Sequence, residues 1–315
     1  MKYKFTIILC IFSVHFFAQE SNYIETEISI PSEKTTINGT LLAPENVVKT
    51  SLIILIPGSG NTDRDGNQGQ LKGDYLKYLA KGLEEESIAS FRYDKGTVEL
   101  SKSENIKEKE ISFDDFIDDA IAVINYFKDK EQFTKIIIAG HSQGSLVGMI
   151  AAHFRADGFI SLAGAGRPIH EILLEQLSVQ APAWKEEIAK TLDSLKNGRI
   201  DKEYNKLFYA IFRESLQPFL ISWIKYDPQK EIGKLDIPVL IVNGSRDIQV
   251  PVGDAALLHK ANGNSKLEII EDMNHVFRKV TVDDRAKNLE TYYNIELPIM
   301  HEVVTVISNF VNSVK

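Results

Sequence analysis

Ile136-Ile137-Ile138-Ala139-Gly140-His141-Ser142-Gln143-Gly144-Ser145-Leu146-Val147-Gly148-Met149 is the stretch on which the reading of this chain turns. Its opening apolar residues, three of them β-branched, predict a buried strand. The apolar run over 145–154 predicts a helix, and between the two stands the G-x-S-x-G pentapeptide Gly140–Gly144. A serine on so sharp a strand-to-helix turn is held in a strained backbone conformation with its hydroxyl presented above the sheet, and side chains on either flank would obstruct it. The pentapeptide alone leaves open a tight turn that merely contains a serine; the strand before it and the helix after it favour a nucleophile.

Working outward, short apolar runs at 51–57, 88–93, 135–140, 158–163, 238–243 and 266–271 read as buried strands, alternating with longer segments of helical periodicity. Phe113, Phe116, Ile117, Ala120, Ile121, Ile124 and Phe127 recur at helical spacing, as do Tyr75, Leu76, Leu79 and Leu83, and each stripe is most simply a core face. Residues 23–30 and 35–43 read as an antiparallel edge pair. This is the pattern of an α/β sheet. The rhythm is interrupted over 167–234, which reads as wholly helical (169–179, 182–196 and 201–225) and is expected to cap one end of the sheet. Among its aromatic residues are Trp184, Tyr204, Phe208, Tyr209, Phe212, Phe219, Trp223 and Tyr226, which either line an acyl pocket or pack the cap onto itself.

A serine hydroxyl is a feeble nucleophile until a base takes its proton. Of the seven histidines, His275 lies where the last strand gives way to a loop, in Asp272-Met273-Asn274-His275, whereas His153, His170, His259 and His301 fall in helical segments. The imidazole also needs a carboxylate to fix its tautomer. Asp247, in Gly244-Ser245-Arg246-Asp247 beyond the 238–243 strand, has that position. Asp227 (cap), Asp254 (helix) and Asp272 (the final strand's own loop) are rivals, and Gly164-Ala165-Gly166 after the preceding strand offers no carboxylate. Acyl transfer further requires two N–H groups aimed at the developing oxyanion. Gln143 supplies one, and Pro57-Gly58-Ser59-Gly60-Asn61 the other, from Ser59 or else Gly60. No G-x-x-x-x-G-K-[ST] or G-x-G-x-x-G motif accompanies these glycines, so a nucleotide is not expected. Nor is a metal or any cofactor, since no cluster of histidines and carboxylates has ligand spacing.

Composition agrees with a globular protein, 43% apolar and 25% charged over 315 residues. A net charge of −8, with lysines scattered among glutamates, argues against nucleic-acid partners. Lys2 and Lys4 precede an apolar run over 5–18, which reads as an export signal cleaved near Ala18 or Gln19, with a retained N-terminal anchor as the alternative. The run falls short of the roughly 20 apolar residues of a membrane span, so no stable membrane insertion is expected after cleavage. Cys10, the single cysteine, sits inside that run; the mature chain then has no disulfide or catalytic thiol.

Three further stretches carry a likeness: Pro57-Gly58-Ser59-Gly60-Asn61-Thr62-Asp63-Arg64-Asp65-Gly66, Arg92-Tyr93-Asp94-Lys95-Gly96 and Asn243-Gly244-Ser245-Arg246-Asp247-Ile248-Gln249-Val250-Pro251. With the serine pentapeptide they make the chain resemble the α/β-hydrolase family, and within it bacterial carboxylesterases and serine-aminopeptidase-like hydrolases with a helical cap. The resemblance runs from about residue 35 to the C-terminus, least closely in the cap. It implies an eight-stranded, mostly parallel sheet with helices on both faces, and an Asp63-Arg64 pair that holds the oxyanion loop in shape. Arg92–Gly96 lacks the basic residue that usually follows the lysine, and residues 280–293 are longer than usual. The expected division is a signal peptide at 1–19, a core at 20–166, a cap at 167–234 and the rest of the core at 235–315. The expected activity is hydrolysis of a small-molecule ester or other acyl substrate through Ser142, Asp247 and His275, in a periplasmic or secreted protein. An aminopeptidase or thioesterase would use the same groups, the former needing an amine anchor such as Glu171, Glu175 or Glu214. A binding protein on a dead hydrolase scaffold is the alternative from another class. Because only neutral imidazole is a base and histidine ordinarily titrates near 6.5, activity is expected to fall on acidification through that region.

Overall fold

The computed structural model describes residues 23–45, 47–100 and 107–315; the expected export signal at 1–19, with Cys10, lies outside the described residues. Strands β1 (Tyr23–Pro31) and β2 (Thr36–Pro44) form an antiparallel hairpin, registered from Tyr23 opposite Pro44 to Pro31 opposite Thr36. Then come β3 (Thr50–Ile56), helix α1 (Tyr75–Glu85), β4 (Ala89–Tyr93), α2 (Gly96–Leu100), α3 (Phe113–Lys128), β5 (Phe133–His141), α4 (Gln143–Ala152) and β6 (Gly158–Leu162). Helices α5 (Ile169–Gln180), α6 (Lys185–Lys196), α7 (Tyr209–Phe212), α8 (Gln217–Ile224) and α9 (Pro228–Ile232) follow without an intervening strand. The chain closes with β7 (Val239–Gly244), α10 (Val252–Ala261), β8 (Lys266–Ile270), α11 (Arg285–Glu290) and α12 (His301–Ser313).

One eight-stranded sheet has the order β1-β2-β4-β3-β5-β6-β7-β8, with β2 antiparallel to both its neighbours and the rest parallel. From β3 the chain steps to β4 on one side and then crosses to β5 on the other. Such a switch opens a crevice at the carboxyl ends of the two adjoining strands. Those ends are Ile56, which leads into the glycine-rich loop, and His141, which leads into Ser142.

The continuous apolar runs arise because both sheet faces are covered. Along β3, Leu52, Ile54 and Ile56 join a core with α3, α4, α9 and α10, while Ile53 and Leu55 join a second core with α1 and α12. Each such side chain, fully withdrawn from water, contributes about 1.5–3 kcal/mol. The cap has a third core of its own, made by Leu177, Ile188, Leu192, Leu195, Tyr204, Phe212, Leu220 and Ile224. It is tied to α3: the Phe113 N–H donates to Ser222 Oγ (2.7 Å), and the Phe113 and Trp223 rings stack at 5.5 Å.

The continuous helix expected over 201–225 is not found. The segment breaks into a 3₁₀ turn at Lys206–Phe208, the single turn of α7, and α8. Arg213 leaves helical geometry at φ −54°, ψ 141°, and its guanidinium pairs with Glu108, which also accepts from Ser215. Pro218 has no N–H to give an ongoing helix, so α8 restarts with it in the first turn.

Candidate active site

Ser142 sits between β5 and α4 at φ 53°, ψ −119°, a left-handed conformation that few side chains tolerate. The pentapeptide's glycines follow from sterics. A Cβ on Gly140 would lie 2.1 Å from Gly144 O, and one on Gly144 would lie 2.5 Å from both Ile56 O and Pro57 O. The turn is fixed by the Ser142 N–H, which donates to Leu162 O (2.9 Å).

His275 Nδ1 lies 2.8 Å from Asp247 Oδ2, and the Asp247 side chain is fully buried. Asp247 Oδ1 accepts from the N–H groups of Gln249 (2.8 Å) and Val250 (2.9 Å), so both carboxylate oxygens are held. Bonding at Nδ1 leaves Nε2 as the basic nitrogen. The histidine loop is set by Asn274, whose Oδ1 accepts from the Val276 and Arg278 N–H groups. Its amide donates to Asn288 and Thr291, in the extended region after β8. Tyr292 from that region lies nearly parallel to His275 (14°, 6.4 Å between centroids). Ser142, His275, Ser59, Tyr75, Gln249, Tyr292 and Tyr293 line one small cavity.

The rival acids are engaged elsewhere. Asp254 accepts from the Gly166 and Arg167 N–H groups and pairs with the Arg167 guanidinium (3.0 Å); Asp227 caps α9; Asp272 faces Arg246.

The loop after β3 passes against the nucleophile, since a Cβ on Gly58 would lie 3.3 Å from Ser142 Cβ. Ser59 lines the cavities that contain Ser142, whereas Gly60 lies farther along, with φ +85°, beside Ser59 and Gln143 in a neighbouring cavity. Gln143 opens α4, where a helix has N–H groups without intrahelical partners. The geometry thus brings Ser59 and Gln143 to the serine and leaves Gly60 to shape the loop. Arg64 anchors that loop to the sheet, donating to Asp94 (2.7 and 3.1 Å), Thr40 (2.8 Å) and Glu27. Asp63 Oδ1 ties the loop to itself through the Asp65 and Asn67 N–H groups.

Two contributors escape a linear reading. His141 is buried; its Nε2–H donates to His275 O (2.9 Å), so its Nδ1 accepts from Tyr75 Oη (3.1 Å). Burial, and next the neighbouring His275, hold His141 well below the ordinary histidine range, keeping it neutral as this arrangement needs. Lys95 is also buried, and its ammonium is pushed down to about 7 by desolvation. The only sequence signal for it was the cluster Arg92–Gly96 just past a buried strand's carboxyl end.

Two apolar cavities lie at the site, the first lined by Ser142 itself and the second reached past Ser59 and Gln143. One of about 260 Å³ runs under α5, past Leu146, Ile169, Ile172 and Leu173; one of about 580 Å³ is bounded by Phe116, Leu216, Phe219 and Leu220. Of the eight cap aromatics singled out above, Phe219 and Trp223 line these cavities. Tyr204 and Phe212 pack the cap's own core, and Tyr226 bonds Asp114.

Comparison with solved structures decides the architecture. Est1E from Butyrivibrio proteoclasticus superposes with a TM-score of 0.58 at 18% identity, over 91% of this chain and 99% of that one. The meta-cleavage product hydrolase of Pseudomonas fluorescens gives 0.56 at 16% identity, over 91% and 98%. The chain has the α/β-hydrolase fold. Within this fold, residues 72–215 match the family described as serine aminopeptidase, S33. Esterase EstD of Thermotoga maritima is 28% identical over 274 residues, 81% of this chain and 62% of EstD, so the match spans less than two thirds of that relative. Among the described residues of this hydrolase-fold chain, no helix is long and apolar enough to cross a membrane.

Proposed function

We propose that the chain is an exported serine hydrolase that cleaves carboxylic esters of small molecules through an acyl-enzyme on Ser142. The observation that carries this reading is the contact between His275 Nδ1 and the buried Asp247 carboxylate, beside a serine held at positive φ in the same cavity. Ser142 Oγ attacks the ester carbonyl as His275 Nε2 takes its proton. The carbonyl electrons move to the oxygen, which the N–H groups of Gln143 and Ser59 stabilise. Collapse expels the alcohol, protonated by His275, and water activated by the same imidazole then attacks the acyl-enzyme, releasing the acid and restoring the serine. Asp247 stays ionised and stabilises the imidazolium.

Esters are favoured over aminoacyl amides because the amine anchors considered are not at the site. Glu175 pairs with Arg167, Glu214 is exposed, and neither they nor Glu171 line the cavities around Ser142. The similarity to EstD supports the same choice. Steady-state kinetics on p-nitrophenyl butyrate and on alanine p-nitroanilide test it. The expected result is ester turnover abolished by Ser142→Ala, with the anilide at least tenfold poorer in kcat/KM; preference for the anilide overturns it. Export rests on Lys2, Lys4 and the apolar run over 5–18, and is tested by whether the N-terminus of the cell-derived protein lies near residue 19.

A further inference from the structure

Lys95 is a buried lysine that the reaction just described does not use, and its partners define what it could do. Its Nζ donates to Gly58 O (2.9 Å) and to Gln143 Oε1, and rests 4.3 Å above the Phe116 ring. Its backbone N–H donates to Thr62 O (3.3 Å), so one residue clasps both ends of the loop over 58–62. Gly58 O is one end of a peptide plane whose other end is the Ser59 N–H. A planar amide cannot turn one end without the other, so fixing this carbonyl fixes the direction in which the Ser59 N–H points. Gln143, held by its side chain from the same ammonium, carries the second N–H.

We propose that Lys95 is a positioning residue for the oxyanion hole, a single buried lysine whose Nζ cross-links its two halves and aims the N–H groups of Ser59 and Gln143 at one point. This rests on the ester-hydrolase reading and adds to it a device residing in neither the triad nor the serine pentapeptide. The cross-link is needed because the two donors come from separate elements, one from the loop after β3 and one from α4. A peptide whose carbonyl accepts a hydrogen bond is also polarised, which makes its N–H a stronger donor. The arrangement is costly, since desolvation of Lys95 opposes its charge.

The test uses the full chain with Lys95→Met, which keeps an unbranched side chain but removes the Nζ donor, and Lys95→Arg, which keeps a donor. The readouts are kcat and KM on p-nitrophenyl butyrate, inhibition by an alkyl trifluoromethyl ketone that forms a tetrahedral oxyanion on the serine, and thermal melting. The expected result for Lys95→Met is a kcat lower by roughly 10²-fold, the size of effect that a misplacement of about 1 Å produces. KM should stay within about threefold, the trifluoromethyl ketone should lose affinity in parallel with kcat, and the melting temperature should not fall. Lys95→Arg should recover part of kcat. Undiminished kcat in folded Lys95→Met overturns the proposal, as does a loss that follows KM or melting instead of ketone affinity. If the wild-type chain turns over no ester, the underlying reading fails and this one with it; wild-type turnover with an unaffected Lys95→Met variant overturns the present inference alone.

Discussion

Gly144→Ala puts the coupling between nucleophile and oxyanion loop to a quantitative test. The new Cβ would lie 2.5 Å from Ile56 O and from Pro57 O, whereas ordinary contact begins near 3.4 Å, so α4 and the end of β3 must part by 3.4 − 2.5 = 0.9 Å. Both oxygens belong to the backbone, so no side chain can swing away to absorb the strain. The movement separates the Gln143 N–H from the Ser59 N–H and tilts Ser142. A displacement near 1 Å at a reacting centre costs about 10²-fold in rate, or about 2.7 kcal/mol of barrier. Overpacking itself costs about 1–3 kcal/mol of stability. The assay is the rate of fluorophosphonate labelling at Ser142 beside a thermal melt. Gly148→Ala, one turn farther along α4, is the control, because its Cβ would meet the side chains of Phe159 and Ile138 at 3.0 and 3.1 Å. Gly144→Ala should label about 10²-fold more slowly and melt lower, with Gly148→Ala much nearer wild type in labelling. A Gly144→Ala variant that labels and melts as wild type does would refute the steric argument for the pentapeptide.

Two further predictions concern carboxylates. Asp247→Asn should retain the fold, since an amide oxygen still accepts from the Gln249 and Val250 N–H groups, yet lose roughly 10⁴-fold in kcat because the imidazole tautomer is no longer enforced; kcat within tenfold of wild type would count against Asp247. Burial pushes Asp119 up from 3.8 to about 6, against the hydrogen bond from Ser32, with Asp115 and Asp118 raising it further. The folded state then holds this proton more tightly than the unfolded state, so the group's contribution to stability falls as pH rises from about 4 to 6. At about 1.4 kcal/mol per unit that is about 3 kcal/mol. Asp119→Asn should therefore melt close to wild type at pH 4 and several degrees higher at pH 7, and an equal change at both pH values would contradict the assignment.

The fold was legible because burial on both faces leaves β3, β5, β6 and β7 as short, mostly apolar runs without strict alternation, and because α1 and α3 carry clean helical stripes. Ser142, Asp247 and His275 could be singled out because each stands just past the carboxyl end of a strand. What escaped depends on contacts between distant segments. His141 meets Tyr75 66 positions away, and Lys95 meets Gln143 48 positions away; neither has a local pattern that sets it apart from a core residue. The break at Arg213 in the cap was hidden for a similar reason. Its cause is Glu108, 105 positions earlier, acting on a segment whose composition is otherwise helical. The 280–293 region is longer than the family resemblance implies, but only the fold shows it supporting the histidine loop through Asn288, Thr291 and Tyr292.

The central claim is that Ser142 is an activated nucleophile served by His275. Incubating the chain with a fluorophosphonate probe and mapping the adduct by mass spectrometry tests it directly, with Ser142→Ala and His275→Ala as controls. The account predicts a single adduct on Ser142, absent in the first variant and abolished or greatly slowed in the second while both still melt cooperatively. Folded wild-type protein that takes up no probe, or takes it up at another residue, would contradict it.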